Sequence, residues 1–281
     1  MANVLCLSSQ VARGHVGNSA AVFTLQRLGH EVMALPTTLL SHHPGHGSPA
    51  ARVSEPAFLE AALSSLEEKG WLADCDAVLT GYFAHPEQLD IAARFIARRR
   101  KEAAESKRPF LYLCDPILGD EDTGLYVPEA IASGMRALGA LADILTPNPF
   151  ELSHLAGLPC EDMAQTRAAA RALKTPYVLA TSAPPPEPGF AASVLVSPSH
   201  AWRCSTPFIE EVPKGTGDLI SALFLGHFLE RNEPAHALAL ASDAAAAIIG
   251  ASRGAEELRL IANQDALRPN APRFELEDLQ P

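Results

Sequence analysis

The strongest limit on how this chain can fold is its rhythm of short apolar runs separated by segments long enough for helices. Residues 4–8, 31–35, 77–80, 110–114, 143–145 and 177–180 are strand-length and apolar. Helical spacing is expected over about 18–28, 55–69 with Ser54 as its cap, 86–105, 162–173 and 234–249. Strands alternating with helices predict an α/β fold with a mostly parallel sheet, because parallel neighbours need a crossover connection and the helices then cover both faces. Such sheets bind ligands at the C-terminal ends of their strands. Two further runs, 193–196 and 201–204, follow the turn Pro184-Pro185-Pro186-Glu187-Pro188-Gly189 and read as a hairpin or edge pair. No repeat and no linker divides the chain, so residues 1–281 are expected to form one domain. Two parts read as looser. Residues 36–53, rich in Gly, Pro, Ser and His without a period, predict a mobile lid loop. The tail over 268–281 is polar and proline-bearing and predicts loose packing.

The stretch with most chemical content is Pro213-Lys214-Gly215-Thr216-Gly217-Asp218-Leu219-Ile220-Ser221. The residues after it, including Leu219, Ile220, Leu223, Phe224, Leu225 and Phe228, are too continuously apolar for a surface helix and predict a buried one. A Gly-rich turn at a helix N-terminus presents free N–H groups and the positive end of the dipole, a combination that binds phosphate. An aspartate there would repel the phosphate, so its natural role is a general base for a substrate hydroxyl. Aspartate is also a common helix starter, and these four residues alone leave both readings open. The run is not a P-loop, because its lysine precedes the glycines.

Polar residues close several strands: Ser9, Tyr82, Asp115 and Thr146. Singly, each has a plain structural alternative; together they share one address with the Gly215–Asp218 turn. In Thr146-Pro147-Asn148-Pro149-Phe150-Glu151, Asn148 reads as an N-cap, Pro149 suits the first helical position, and Glu151 completes a capping box. The net charge of −11 argues against a broad nucleic-acid surface. No apolar run is read as a membrane span, and the first residues read as a strand, not as a signal peptide. Five scattered cysteines fit free thiols in a reducing cytoplasm. His42, His43 and His46 sit among Gly and Pro and read as loop, not as a metal cage. Arg98-Arg99-Arg100-Lys101 suits a helix C-terminus and reads as a solvated charged face.

Gly14-His15-Val16-Gly17-Asn18-Ser19-Ala20-Ala21, Thr80-Gly81-Tyr82, Cys114-Asp115-Pro116-Ile117-Leu118-Gly119-Asp120, the Thr146–Glu151 element and Gly215-Thr216-Gly217-Asp218 together resemble a pyridoxal kinase, a branch of the ribokinase-like superfamily. The matches follow the family's order from residue 4 to about 250. The resemblance implies a three-layer ribokinase-like fold with a small lid or flap. It implies ATP-dependent phosphorylation of the 5′-hydroxyl of pyridoxal, with pyridoxine and pyridoxamine as further substrates. Asp218 is then the catalytic base, and Gly215, Thr216 and Gly217 the anion hole for the γ-phosphate. Ser9, Val16, His43 and Tyr82 fall on the substrate side with Asp218. Asp115, Thr146, Glu151, Thr181, Thr206, Pro207, Phe208 and Ile209 fall on the ATP side. Asp115 and Glu151 would act near Mg²⁺ through water or phosphate. The resemblance also implies stimulation by K⁺, a homodimer, a cytoplasmic location, and no nucleic-acid or membrane partner. The lid departs from the family: Pro44 replaces a threonine and the aromatic residues are missing. Leu125 stands near the position where one bacterial branch carries an aldehyde-trapping cysteine. These departures bring in an alternative, a kinase of hydroxymethylpyrimidine or a related vitamin alcohol. A third reading is a weakly active vitamer-binding protein on the same scaffold.

Overall fold

The computed structural model describes residues 1–279. Its first half runs β1 (Asn3–Val11), α1 (Asn18–Arg27), β2 (Glu31–Leu40), β3 (Ala51–Val53), α2 (Pro56–Glu68), β4 (Cys75–Thr80), α3 (Pro86–Ser106) and β5 (Leu111–Cys114). Then come β6 (Gly119–Asp120), β7 (Gly124–Leu125), α4 (Glu129–Gly139), β8 (Ile144–Leu145), α5 (Pro149–Ala156), α6 (Met163–Ala172) and β9 (Tyr177–Ala183). The chain closes with β10 (Phe190–Val196), β11 (Ala201–Pro207), α7 (Thr216–Arg231), α8 (Pro234–Ala251) and β12 (Leu276–Asp278).

Ten strands form one sheet in the order β12-β11-β10-β9-β8-β5-β4-β1-β2-β3. The six from β9 to β2 run parallel, as the strand–helix alternation requires. The β10–β11 pair is antiparallel, as expected of a hairpin. Side chains of β1 alternate between two cores: Leu5 and Leu7 face one, Val4 and Cys6 the other. The first core takes Leu59 and Leu63 of α2, Phe95 of α3, Met135 of α4 and Leu152 of α5. The second takes Leu25 of α1, Phe224 and Phe228 of α7, and Leu238 and Ile248 of α8. This is the three-layer arrangement, and it buries α7 from Leu219 to Phe228. Among the described residues α8 is apolar and long enough to cross a membrane by composition alone, but it packs on α7 inside the second core.

Four expectations need correction. Residues 36–53 do not form one irregular loop. Strand β2 continues through Pro36, which pairs with Ser8, to Leu40, and then pairs with β3. Proline removes one N–H from that strand, and side chains hold its carbonyls in place: Ser54 Oγ donates to the Pro36 carbonyl at 2.6 Å and Gln88 Nε2 to the Thr37 carbonyl at 2.8 Å. Ser54 is thereby spent on β2 and does not cap α2, whose N-cap position is Glu55. The flap is a short antiparallel ribbon with a helical turn at Pro44–His46. The basic end of α3 is not a uniformly solvated face either: Arg99 is buried, and Arg100 reaches Asp143 at 2.5 Å.

The tail is also tied down, by β12 along β11 and by Arg273, whose Nε lies 2.7 Å from Oδ1 of the buried Asp243. The last two residues of the expected loose segment, 280 and 281, lie outside the described residues. A buried carboxylate needs its partner more than an exposed arginine does. Arg273→Ala should therefore lower stability by about 2 kcal/mol in urea unfolding. Adding Asp243→Asn should return most of that loss, and additive losses would show that the pair is not what holds the tail.

Candidate active site

The turn before α7 has one permitted residue at its corner. Gly215 sits at φ 101°, and a Cβ there would overlap the carbonyl oxygen of His15. The loop of residues 12–17 therefore lies directly against the turn. No side chain caps α7, so the first-turn N–H groups and the dipole remain for a ligand. Asp218 is half-buried in that first turn. The backbone N–H groups of Gly17 and of Asp218 itself pull its pKa down, yet burial outweighs them and pushes it up to about 6.

One helical turn further on, Ser221 points at the ends of two strands. Its Oγ lies 3.0 Å from Asp115 Oδ2 and 2.8 Å from Thr146 Oγ1. Asp115 follows β5, with its N–H on the Thr80 carbonyl at 2.8 Å; Thr146 follows β8, with its N–H on the Cys114 carbonyl at 3.1 Å. All three are buried. Burial raises Asp115 well above the ordinary carboxylate range, the charges of Asp218 and Glu151 raise it further, and the two hydroxyls offset part of this.

Glu151 is held by the capping box that the sequence predicts. Asn148 Oδ1 accepts from the Glu151 N–H at 2.9 Å, and Glu151 Oε2 accepts from the Asn148 N–H at 2.9 Å. The box also reaches across to the loop after β5. Leu118 N–H donates to Glu151 Oε1 at 3.0 Å, and Asn148 Nδ2 donates to the Gly119 carbonyl at 2.8 Å. Burial still pushes Glu151 up to about 7. Three carboxylates thus converge where an opposite charge is wanted.

On the other side, β1 is irregular at Ser9: its register with β2 shifts between Ser8 and Gln10. Ser9 is buried beside Gly17, and Val16 is buried against Gly215. Ser8 Oγ accepts the Tyr82 N–H at 3.1 Å, and Thr37 Oγ1 donates to the Tyr82 carbonyl at 2.6 Å, fixing that residue beside β1. His43 lies in the flap; its Nδ1 accepts the Gly45 N–H at 3.0 Å, and burial and Lys214 push its pKa down.

Asp115, Thr146, Glu151, Asp218 and Gly215 are therefore brought together, with Ser9, Val16 and Tyr82 alongside. Thr181, on β9, bonds Pro147 through its N–H at 2.9 Å, next to the Thr146 end. Thr206 and Pro207 end β11, four strand positions from β5, which is about 19 Å at ordinary strand spacing. Phe208 bonds Gly189 there, and Ile209 packs near Gly250. These four sit apart from the acidic cluster. Ser221 and Asn148 belong to the site chemically. The capping pattern reveals Asn148; nothing local reveals what Ser221 faces.

A mainly parallel sheet, carboxylates at its C-terminal strand ends and a glycine turn opening a buried helix define a kinase of the ribokinase-like class. A model of the phosphomethylpyrimidine kinase family matches residues 13–258. The pyridoxal kinase PdxY of Corynebacterium diphtheriae is 35% identical over 285 residues, covering 99% of each chain. The pyridoxine/pyridoxal/pyridoxamine kinase of Bordetella pertussis is 38% identical over 81% of each. The pyridoxal kinase from Leishmania donovani, solved with ADP and pyridoxine, superposes with a TM-score of 0.92 at 28% identity, covering 99% of each. This chain belongs to the pyridoxal kinase family.

The raised acid at Asp218 carries a stability cost with a definite sign. The unfolded carboxyl ionises near 3.8 and the folded one near 6. The folded state therefore holds its proton longer, and stability contributed by the neutral form is lost as pH rises through about 6. Asp218→Asn should make the protein more stable at pH 7.5 by roughly 2 kcal/mol, with a smaller gain at pH 5. Denaturant curves at the two pH values test this; a variant no more stable than the parent at pH 7.5 would contradict the burial cost.

Proposed function

We propose that this chain is an ATP-dependent vitamin B6 kinase in which Asp218 takes the proton from the 5′-hydroxyl of pyridoxal. The alkoxide-like oxygen forms a bond to the γ-phosphorus, the bond from that phosphorus to the β,γ-bridging oxygen breaks, and ADP leaves with the electron pair. The proton rests on Asp218. The N–H groups at Gly215, Thr216 and Gly217 receive the charge that develops on the transferring phosphoryl oxygens. The observation that carries this reading is the Asp218 carboxylate in the uncapped first turn of α7, over the Asp115–Thr146–Ser221 cluster.

Ser9, Val16, Tyr82 and His43 form the vitamer side. Thr146 and Thr181 lie towards the nucleotide phosphates, and the Thr206–Ile209 stretch takes the base end; their separation suits the two ends of an extended nucleotide. Mg²⁺ fits the residues present as an ion delivered with ATP. Among the described residues no three His, Cys, Asp or Glu side chains are spaced to chelate a metal, and both oxygens of Glu151 already accept backbone N–H bonds. Asp115 and Glu151 would therefore meet it through water or phosphate. Bound there with ATP, it would supply positive charge against the phosphates and against Asp115, Glu151 and Asp218. A homodimer, a cytoplasmic location and stimulation by K⁺ complete the reading on the strength of the resemblance.

The family model that matches is described by phosphomethylpyrimidine kinase, and the flap lacks the family's aromatic residues, so substrate choice needs its own test. A panel of pyridoxal, pyridoxine, pyridoxamine and hydroxymethylpyrimidine with ATP and Mg²⁺ should give the highest kcat/KM with a B6 vitamer. Preference for the pyrimidine would favour the alternative kinase, and no turnover with any of them would favour a binding protein. Asp218→Ala should lower kcat by about 10²- to 10⁴-fold with the fold intact. For the parent, kcat/KM should rise with pH through about 6 as the base ionises. Native turnover in the variant would remove Asp218 from the mechanism.

A further inference from the structure

Three segments far apart in sequence meet at one carboxylate that the reaction above does not use. Glu257 lies after α8, on a stretch fixed by buried neighbours. Ser252 is buried, its hydroxyl donates to the Ile248 carbonyl at 2.6 Å and accepts the Arg259 N–H at 3.0 Å, and Leu258 is buried beside it. The Glu257 side chain is only 19% exposed, although its neighbour Glu256 stands in solvent and pairs with Arg13.

The first contact is with the glycine loop. Gly14 has φ 105°, and a Cβ there would overlap the Glu257 carboxylate, so the backbone lies directly on it. The adjacent His15 ring lies within electrostatic reach of Glu257 and of the Leu258 backbone. His15 also turns its own carbonyl to Gly215, and the Gly17 backbone lies close enough to Asp218 to lower its pKa. Glu257 therefore supports the loop that lies beside the proposed base and shapes the phosphate turn.

The second contact is with the flap. His46 Nε2 lies 3.2 Å from Glu257 Oε1, although the His46 side chain is 40% exposed. That contact draws the turn at residues 44–46 over Lys214, the residue before Gly215. Lys214 in turn stands 3.8 Å from Asp120 of the β6–β7 ribbon.

We propose that Glu257 is a positioning residue for phosphoryl transfer, linking the flap through His46 to the Gly14–Gly17 loop that orients Asp218 and the Gly215 turn. Flap closure and alignment of the base are then one event: the contact that brings the flap down also steadies the loop. Closing a site before transfer excludes water, and tying closure to alignment keeps the phosphoryl group from a stray hydroxide. The role rests on the kinase reading, but the contact itself does not.

A cycle of His46→Ala, Glu257→Gln and the double variant tests it. Glu257→Gln keeps the shape, and His46→Ala removes an exposed side chain, so both should keep the parent's melting temperature within a few degrees. His46→Ala should raise KM by about fivefold with kcat little changed, as a half-exposed contact allows. Glu257→Gln should raise KM similarly and also lower kcat, because it reaches the loop. The double variant should be no worse than Glu257→Gln, since both act through one contact. Strictly additive effects, or an unchanged KM in both single variants, would overturn the proposal. Hydrogen exchange in unliganded protein gives an arm independent of turnover. Residues 36–53 should exchange faster in both variants, and residues 13–17 only in Glu257→Gln. Faster exchange with no phosphorylation by the parent would keep the link and refute the kinase reading. Unchanged exchange with normal parent activity would do the reverse.

Discussion

Burying Asp115 within electrostatic reach of the buried Glu151 and the half-buried Asp218 is the constraint on which the remaining structure depends. Asp115, Glu151 and Asp218 are all raised by burial, and Asp115 is raised further by the other two. Nothing in apolar packing alone would gather them; the cost has to be offset locally. The offsets are identifiable. Glu151 takes N–H groups from Asn148 and Leu118, Asp115 takes the Ser221 hydroxyl with Thr146 beside it, and the Gly17 backbone lowers the pKa of Asp218. The N-terminus of α7 adds its dipole. What remains uncompensated is a demand for positive charge at the place where a metal–nucleotide complex would bring it.

That arrangement explains why the scaffold is a sheet with a fully buried helix. The offsets come from the loop after β5, the end of β8, the capping box of α5, the start of α7 and the loop after β1. Only adjacent parallel strands bring so many chain ends to one edge. Helix α7 must present Asp218 and Ser221 one turn apart to two different strand ends, so its rotation about its own axis is fixed. Burial of Leu219 through Phe228 against β1, β4 and α8 side chains supplies that fixity. Gly215 then lets the approaching chain pass under His15 without a side chain between them.

Much of this was legible in the sequence where the cause was local. The capping box at Asn148 and Glu151 depends on residues three apart, and it formed as the spacing requires. The burial of α7 follows from unbroken apolar residues, and Tyr82, Asp115 and Thr146 follow β4, β5 and β8 as a parallel sheet puts them, whereas Ser9 lies inside β1, which runs on to Val11. Non-local pairings were not legible. Ser221 reads as one polar residue in an apolar helix, and its partners are 75 and 106 residues away. Glu257 reads as one of several acids in a polar stretch. Pro36 and the Gly- and Pro-rich residues after it obscured the second half of β2, because the side chains that hold the strand's carbonyls there, Ser54 and Gln88, come from other elements. Tail residues escaped for the same reason: β12 has meaning only beside β11, and Arg273 only beside Asp243.

The division between buried and exposed parts also bears on how such a family can differ in substrate while keeping its chemistry. A change at Asp115, Ser221 or Glu151 would strand a buried polar partner, an expensive class of mutation. The flap carries no such burden. His42, Pro44, Gly45 and His46 lie at or near the surface, and substitutions there cost little stability. The flap's His46 meets Glu257 and not the Asp115–Thr146–Ser221 cluster, so a substitution there leaves those buried hydrogen bonds in place. On the reading proposed above, transfer chemistry would sit at the sheet edge and α7, acceptor choice would fall to β2, β3 and the turn between them, and the His46–Glu257 contact would link the two. A chain that keeps the first set intact and departs in the second is one whose reaction class is more firmly fixed than its preferred acceptor.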